Sequence, residues 1–125
     1  MKKIISTDKA PAAIGPYSQA VEAGGLFFIS GQLPVDAATG VMAPAEIKAQ
    51  TESVIKNLEN ILKSQGLALE NILKTTVYMA DLSQFAQMNE VYGKFFAKNP
   101  PARATVEVKA LPKAALVEIE AIAAR

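Results

Sequence analysis

The sequence restricts which side chains can do chemistry, because its 125 residues include neither histidine nor cysteine. Histidine is the usual general base near neutral pH and the commonest transition-metal ligand. Cysteine supplies thiol nucleophiles, thiolate metal sites and disulfides. Serine-triad catalysis, zinc hydrolysis and histidine-dependent RNA cleavage are therefore disfavoured. Any catalysis must use Arg, Glu, Asp, Tyr, Ser or Thr side chains, backbone N–H groups and water.

The polar residues best suited to such chemistry lie near the end of the chain. Arg103 and Thr105 are two residues apart, which puts them on one face of a strand, and Glu118 belongs to the next predicted strand. An arginine is always charged, and its planar fork matches a carboxylate. On spacing alone, the commoner role of Arg103 is that of a solvated strand residue, and Glu118 is more often a surface or ion-paired carboxylate.

Composition limits the class of protein. Half of the residues are hydrophobic and the net charge is +1, so a core is available but there is no basic field for nucleic acid or anionic lipid. No stretch reaches the ~20 apolar residues of a membrane span, and the apolar run after Lys2-Lys3 is too short for a signal peptide. We expect one cytoplasmic domain covering residues 1–125.

The elements that must position these residues follow from periodicity and turn signals. Loops are predicted at 10–17 and 31–40, and Gly24-Gly25 is predicted to be a hairpin turn. The order is ββ-α-β-α-ββ, an α+β fold with a mixed sheet and two helices on one face. The predicted strands are Ser18–Glu22, Leu26–Ser30, Ile72–Asp81, Arg103–Ala110 and Leu116–Ala124, and the predicted helices are Pro44–Gln65 and Ser83–Lys98, the second capped by Ser83.

Alternation in the last two strands predicts which face is buried. Ala104, Val106 and Val108 point away from Arg103, and in the last strand every second residue from Val117 is apolar. We expect these apolar sets to lie under the helices. The other face is mixed, which predicts partial burial against another subunit.

Several separated motifs, in order and in register, resemble the RidA (YjgF) family over essentially the whole chain. The motifs are AIGPYSQA at 13–20, ISGQLP at 29–34, KTTVY at 74–78 with Asp81-Leu82, MNEVY…FF at 88–96, PARATVEV at 101–108, and Leu111-Pro112 followed by VEIEA at 117–121. The resemblance implies a chorismate-mutase-like fold, a homotrimer, and active sites in clefts between subunits. It also implies hydrolysis of 2-imino acids to 2-keto acids and ammonia, with no metal and no cofactor.

The resemblance gives each site residue a role. Arg103 would bind the substrate carboxylate through two parallel hydrogen bonds. Glu118 would hold and deprotonate the attacking water, and Thr105 would orient that water. An imine is labile to water, so neither a strong nucleophile nor a metal is required. Some well-known family members carry cysteine where this chain has Thr105, which excludes a thiol role here. Glu120 is left outside the site as an ion-pair candidate.

Four further residues complete the expected substrate pocket. Ser30 and the N–H of Gly31 would donate to the substrate or to its leaving nitrogen, Tyr17 would close the pocket, and Asn89 would offer a neutral amide. Tyr17, Ser30 and Gly31 are equally compatible with ordinary loop and turn roles, and Asn89 with a polar helix face.

The alternative is a protein without useful turnover. Arg103 could hold a 2-keto acid in a ligand-binding regulator, and family members have been proposed as chaperones and as RNA-cleaving translation inhibitors. RNA cleavage fits poorly with the absence of histidine and the near-zero net charge. A receptor for an anion has no need of Glu118 beside it, so Glu118 favours the enzyme.

Overall fold

The computed structural model describes residues 1–125 as six strands and two α-helices. In chain order they are β1 (Lys3–Ile5), β2 (Ala20–Ala23), β3 (Leu26–Gln32), α1 (Ile47–Lys63), β4 (Ile72–Met79), α2 (Phe85–Phe95), β5 (Ala102–Glu107) and β6 (Val117–Ala124). The short strand β1 was not predicted; the rest follows the predicted order. Neither helix combines the length and apolar character needed to cross a bilayer.

All six strands form one sheet in the order β1-β2-β3-β6-β4-β5. Neighbours are antiparallel except for β4 and β5, which are parallel because α2 forms the crossover between them. Side chains from both helices join one hydrophobic cluster with alternate residues of the sheet. The predicted α+β architecture with a mixed sheet is therefore confirmed.

The hydrophobic core lies between the helices and one face of the sheet. In β6, Val117, Ile119, Ala121 and Ala123 are all buried, as predicted for this strand. The predicted stripe of α1 is also buried; it comprises Ile47, Thr51, Val54, Leu58, Ile61 and Leu62. We call the opposite side of the sheet the open face. It carries Phe28 of β3, Lys74, Thr76 and Tyr78 of β4, Ala102, Ala104 and Val106 of β5, and Glu118, Glu120 and Ile122 of β6.

Strand β5 has the opposite orientation to the predicted one. Its register pairs Arg103 with Thr75 and Thr105 with Val77, and both β4 partners are fully buried on the helix side. Arg103 and Thr105 therefore face the helices, whereas Val106 is 42% exposed on the open face. The prediction is wrong here because β5 is an edge strand, and its helix side meets polar and aromatic residues of α2 rather than the centre of the core.

The second helix begins later than predicted and has a different cap. It starts at Phe85, and the predicted cap, Ser83, instead donates its backbone N–H to the Asp81 carboxylate at 2.9 Å. Asp81 thus caps the 3₁₀ turn Leu82–Gln84 that precedes the helix. Hydrogen bonds from the side chain and backbone of Ser83 lower the pKa of the Asp81 carboxyl. The first helix is also shorter than predicted, at Ile47–Lys63.

The irregular loop before β2 is held in place by the buried side chain of Gln19. Its Nε2 donates to the carbonyl oxygens of Thr7, Ala10 and Pro11 at 3.0, 3.2 and 2.8 Å. Its Oε1 accepts from the N–H of Thr7 at 2.7 Å. Because one amide satisfies four backbone groups, the loop that carries Tyr17 has a fixed path without regular structure.

Candidate active site

Arg103 is held on a platform of side chains from α2. Its Nη1 donates to Asn89 Oδ1 at 2.7 Å, and its Cζ lies 4.7 Å from the Tyr92 ring centroid and 5.4 Å from that of Phe85. The three platform residues are spaced four and three apart, which places them on one helix face. Arg103 forms no ion pair within the chain. Its guanidinium is therefore a positioned, uncompensated cation with donors left for a planar anion.

Thr105 lies beside Arg103 on the same face of β5. Its Oγ1 is buried and makes no hydrogen bond, and it is the one buried side-chain polar atom in the chain without a partner. Leaving such a group unpaired costs roughly 1–3 kcal/mol, so a group of this kind calls for a ligand, a water or a neighbouring molecule. Its position is compatible with the predicted water-orienting role.

Glu118 lies on the open face, packed against the backbone of β3. A Cβ built on Gly31 would overlap Glu118 Oε2 and lie 2.9 Å from its Cδ, so any larger residue at this position would displace the carboxylate from where it lies. The register between β3 and β6 shifts between Ile29 and Gln32, forming an irregularity around Ser30 and Gly31. Strand β3 thus continues through Gly31, where a loop was predicted, and supplies the surface on which Glu118 rests.

The electrostatic environment of Glu118 favours its protonated form more than water does. Partial burial raises the pKa of the Glu118 carboxyl, and the negative charge of Glu120, two residues along the same strand face, raises that pKa further. Tyr78 faces Glu118 across the β4–β6 ladder, and burial followed by the charge of Glu120 raises the pKa of its phenol. A carboxylate whose pKa is moved towards neutrality is suited to accepting a proton from water.

Ser30 lies on the same side of the sheet as Glu118. The Ser30 hydroxyl donates to the carbonyl of Ser18 at 2.6 Å, and its N–H donates to the carbonyl of Gln19 at 2.9 Å. The Ser30 oxygen therefore offers an acceptor rather than the free donor that the sequence suggested. Tyr17, next to Ser18 in the loop, is 54% exposed, so its ring and hydroxyl are available to another molecule.

The predicted site residues thus form two groups on opposite faces of the sheet. The arginine half-site comprises Asn89, Arg103 and Thr105 with the aromatic platform. The glutamate half-site comprises Ser30, Gly31 and Glu118, and Tyr17 precedes Ser18, whose carbonyl accepts from the Ser30 hydroxyl. Because a sheet separates the two, one chain cannot apply Arg103 and Glu118 to the same small molecule.

Residues 7–125 match the family model described as Endoribonuclease L-PSP. The chain belongs to this family, the RidA (YjgF) family. A RutC family protein of Pyrococcus horikoshii is 50% identical over 123 residues, which cover 98% of each protein. The mouse protein named 2-iminobutanoate/2-iminopropanoate deaminase is 47% identical over 98% of this chain and 91% of its own length. The crystal structure of the Escherichia coli YjgF gene product matches with a TM-score of 0.94 at 46% identity, covering 98% of both chains.

The RidA relationship confirms the family that the motifs resembled and gives the fold its name, chorismate-mutase-like. Sequence reasoning missed Phe85 and Tyr92 as site residues, because their spacing also suits a core stripe. Tyr92 is indeed buried, but Phe85 is 36% exposed. Their spacing of four and three residues around Asn89 was the available signal, since it places both rings on the helix face that carries this predicted site residue.

Proposed function

We propose that this RidA family member hydrolyses 2-imino acids to 2-keto acids and ammonia, without metal or cofactor. The observation that carries the proposal is Arg103, an uncompensated guanidinium fixed beside the unpaired hydroxyl of Thr105. A 2-imino acid presents a carboxylate next to a C=N bond, so binding the carboxylate places the reacting carbon at a defined point. The deaminase name of the mouse relative supports the same substrate class.

The proposed reaction uses each half-site in turn. Arg103 binds the carboxylate while Glu118 takes a proton from a water that attacks C2; a C–O bond forms, the electron pair of the C=N π bond moves to nitrogen, and Glu118 gives its proton to that nitrogen. In the resulting carbinolamine, Glu118 moves the proton of the C2 hydroxyl to the nitrogen as the C–N bond breaks, so ammonia leaves and the C2 oxygen becomes the keto oxygen. Thr105 orients the water, and the oxygen of Ser30 accepts from the leaving nitrogen. The sum is one imino acid and one water giving one keto acid and one ammonia.

The remaining pocket groups hold the substrate in place. The N–H of Gly31 donates to the substrate, Tyr17 covers the site from its exposed loop, and Asn89 fixes one edge of the guanidinium. This arrangement leaves the opposite edge of Arg103 for the carboxylate.

The separation of the half-sites supports a shared active site in a homotrimer. The arginine half-site of one copy would meet the glutamate half-site of its neighbour, and a closed ring of three copies would then hold three complete sites. The open face supplies suitable contact area, because Phe28 and Val106 are 43% and 42% exposed there. Catalysis in the cytoplasm is the setting we propose.

Purified protein is expected to accelerate hydrolysis of 2-iminopropanoate generated in place from alanine by an amino acid oxidase. Keto acid formation competes with trapping of the imine by semicarbazide, so the loss of semicarbazone measures the rate. The same rate is expected after exhaustive chelation. Restoration of a chelated enzyme by Zn²⁺ or Mg²⁺ would contradict the mechanism. Keto acid binding without any acceleration would instead support the regulator alternative.

Mixing two impaired variants is expected to restore activity if the site is shared. Arg103→Lys and Glu118→Gln each damage every site, but random reassembly into trimers pairs an intact Arg103 with an intact Glu118 in about a quarter of sites. The mixture should therefore recover about a quarter of the wild-type rate after reversible dissociation. The double variant mixed with either single variant is the matched control, and it should recover nothing.

Sedimentation of the wild-type protein tests the assembly itself. Wild-type protein should sediment at about 40 kDa, three times the 13.3 kDa of one chain. A fully active monomer, or a mixture no more active than its components, would overturn the shared site.

A further inference from the structure

We propose that Tyr92 is a positioning residue. Its ring is fixed by a hydrogen bond to Thr75, and it holds the Arg103 guanidinium in the orientation that gives a substrate carboxylate two parallel hydrogen bonds. The inference rests on the proposed function, because it assumes that Arg103 binds the carboxylate. It adds a role for Tyr92 and Thr75, neither of which contacts the substrate.

The ring of Tyr92 lies directly against the cation. Its centroid is 4.7 Å from Arg103 Cζ, closer than the 5.4 Å of Phe85 and well inside the range of an effective cation–π contact. Tyr92 is 5% exposed, so its ring is fixed within the protein, and the half-buried Arg103 lies over it. Arginine also stacks flat on aromatic faces, which fixes its plane as well as its position.

The hydroxyl of Tyr92 locks the ring to the sheet. It lies 2.7 Å from Thr75 Oγ1, and both groups are buried. Burial raises the pKa of the Tyr92 phenol, so the hydroxyl stays protonated and keeps this bond at physiological pH. Thr75 is the register partner of Arg103 across the β4–β5 pair. The ring is therefore tied to the strand position next to the arginine that it supports.

A second aromatic ring restricts Tyr92 from within the same helix. The Phe96 centroid is 4.5 Å from that of Tyr92, with the ring planes inclined at 35°. An arginine side chain has high rotamer entropy, so a fixed ring beneath it reduces what must be ordered when an anion binds. The hydrogen bond to Asn89 sets one edge of the guanidinium, and Tyr92 sets its plane.

The test compares Tyr92→Leu, which removes the ring, with Tyr92→Phe, which keeps it. We expect Tyr92→Leu to weaken pyruvate binding about 10-fold, within the usual cation–π range, and to raise KM more than it lowers kcat. The affinity of Tyr92→Phe for pyruvate should be within about 3-fold of that of the wild type. The Arg103 Nε–Hε resonance should show a ring-current shift in wild type and in Tyr92→Phe, and should lose it in Tyr92→Leu.

Val91→Ala is the matched control for lost stability. Val91 is a buried neighbour on α2, so its truncation should lower the melting temperature without moving the Arg103 resonance or pyruvate affinity. Thr75→Val is a second route if Tyr92→Leu does not fold, because it removes the lock at nearly constant volume. It should weaken pyruvate binding by about 3-fold, the size of one hydrogen bond between neutral groups.

Two results would overturn the inference. One is an unchanged Arg103 resonance and pyruvate affinity in Tyr92→Leu; the other is wild-type pyruvate affinity in Thr75→Val, which would show that the hydrogen bond does not lock the ring. The NMR measurement on Arg103 requires no turnover, so failure of the positioning role can be told apart from failure of the proposed function. Wild-type protein that does not hydrolyse imines, but whose Arg103 signal depends on Tyr92, would refute the activity and keep the positioning role.

Discussion

Replacing Glu118 with glutamine is expected to lower imine hydrolysis by about 10²–10⁴-fold, the usual contribution of a general base. Glutamine keeps the size and hydrogen bonding of the side chain, so it still fits against Gly31. It cannot accept the proton of the attacking water. Pyruvate binding should survive or tighten, because a negative charge near the bound anion is removed. Rate by semicarbazide competition and affinity by calorimetry measure the two effects separately.

The pH profile gives an independent reading of the same residue. Burial and the charge of Glu120 raise the pKa of the Glu118 carboxyl. Only the ionised form is a base, so wild-type turnover should fall as pH is lowered through this raised pKa. Glu118→Gln should lack that limb. Near-full turnover in this variant would mean that the substrate's own imine nitrogen activates the water.

Glu120→Gln is the matched control, since it makes the same change two residues away on the same strand face. Glu120 is exposed and lies outside the proposed machinery. Its loss should change the maximal rate by less than about 3-fold. It should also move the acid limb of the profile to lower pH, because it removes the repulsion that raises the pKa of Glu118.

Replacing Arg103 with lysine is expected to lower kcat/KM by roughly 30- to 150-fold, or about 2–3 kcal/mol. Lysine keeps the charge but loses the planar guanidinium that lies 4.7 Å over the Tyr92 ring. The lysine ammonium group also cannot donate one hydrogen bond to Asn89 and two coplanar hydrogen bonds to the carboxylate. Pyruvate affinity should weaken in parallel with the rate, because both depend on the same fork.

Arg125→Lys is the control for this substitution. Arg125 also lies over an aromatic ring, with its Cζ 5.0 Å from the Phe27 centroid, and it pairs with Glu22 at 3.5 Å. It lies outside both half-sites, so its replacement should leave the rate unchanged. An Arg103→Lys variant with wild-type rate and affinity would show that the carboxylate binds elsewhere.

The helices and the central strands could be predicted because their patterns are unambiguous. The stripe of α1 and the alternation of β6 each have one strongly apolar side, and the buried side is the apolar one in both. The same reasoning gives the wrong orientation for strand β5. Ala104 and Val106 are its apolar residues, yet they lie on the open face. An edge strand with little core to cover takes its orientation from register rather than from its pattern.

Register also explains what the sequence could not show about the site. Spacing of two placed Arg103 with Thr105, but it could not relate their face to that of Glu118, because a slip of one residue exchanges the faces of a strand. The pairs Thr75–Arg103 and Tyr78–Glu118 decide the matter. Their two β4 residues are three apart, so Arg103 and Glu118 face opposite ways. No local pattern contains that information.

The close packing of Gly31 against Glu118 has a consequence for how the sequence can change over time. A methyl group at position 31 would overlap the carboxylate of Glu118, so Gly31→Ala requires that flexible side chain to move. Alanine at this position therefore acts on the site through Glu118, by displacing its carboxylate from the backbone of β3. In a chain with the shorter aspartate at position 118, the same methyl group would meet a different neighbour. The effect of a substitution at position 31 thus depends on the residue at position 118, and the two positions are epistatic.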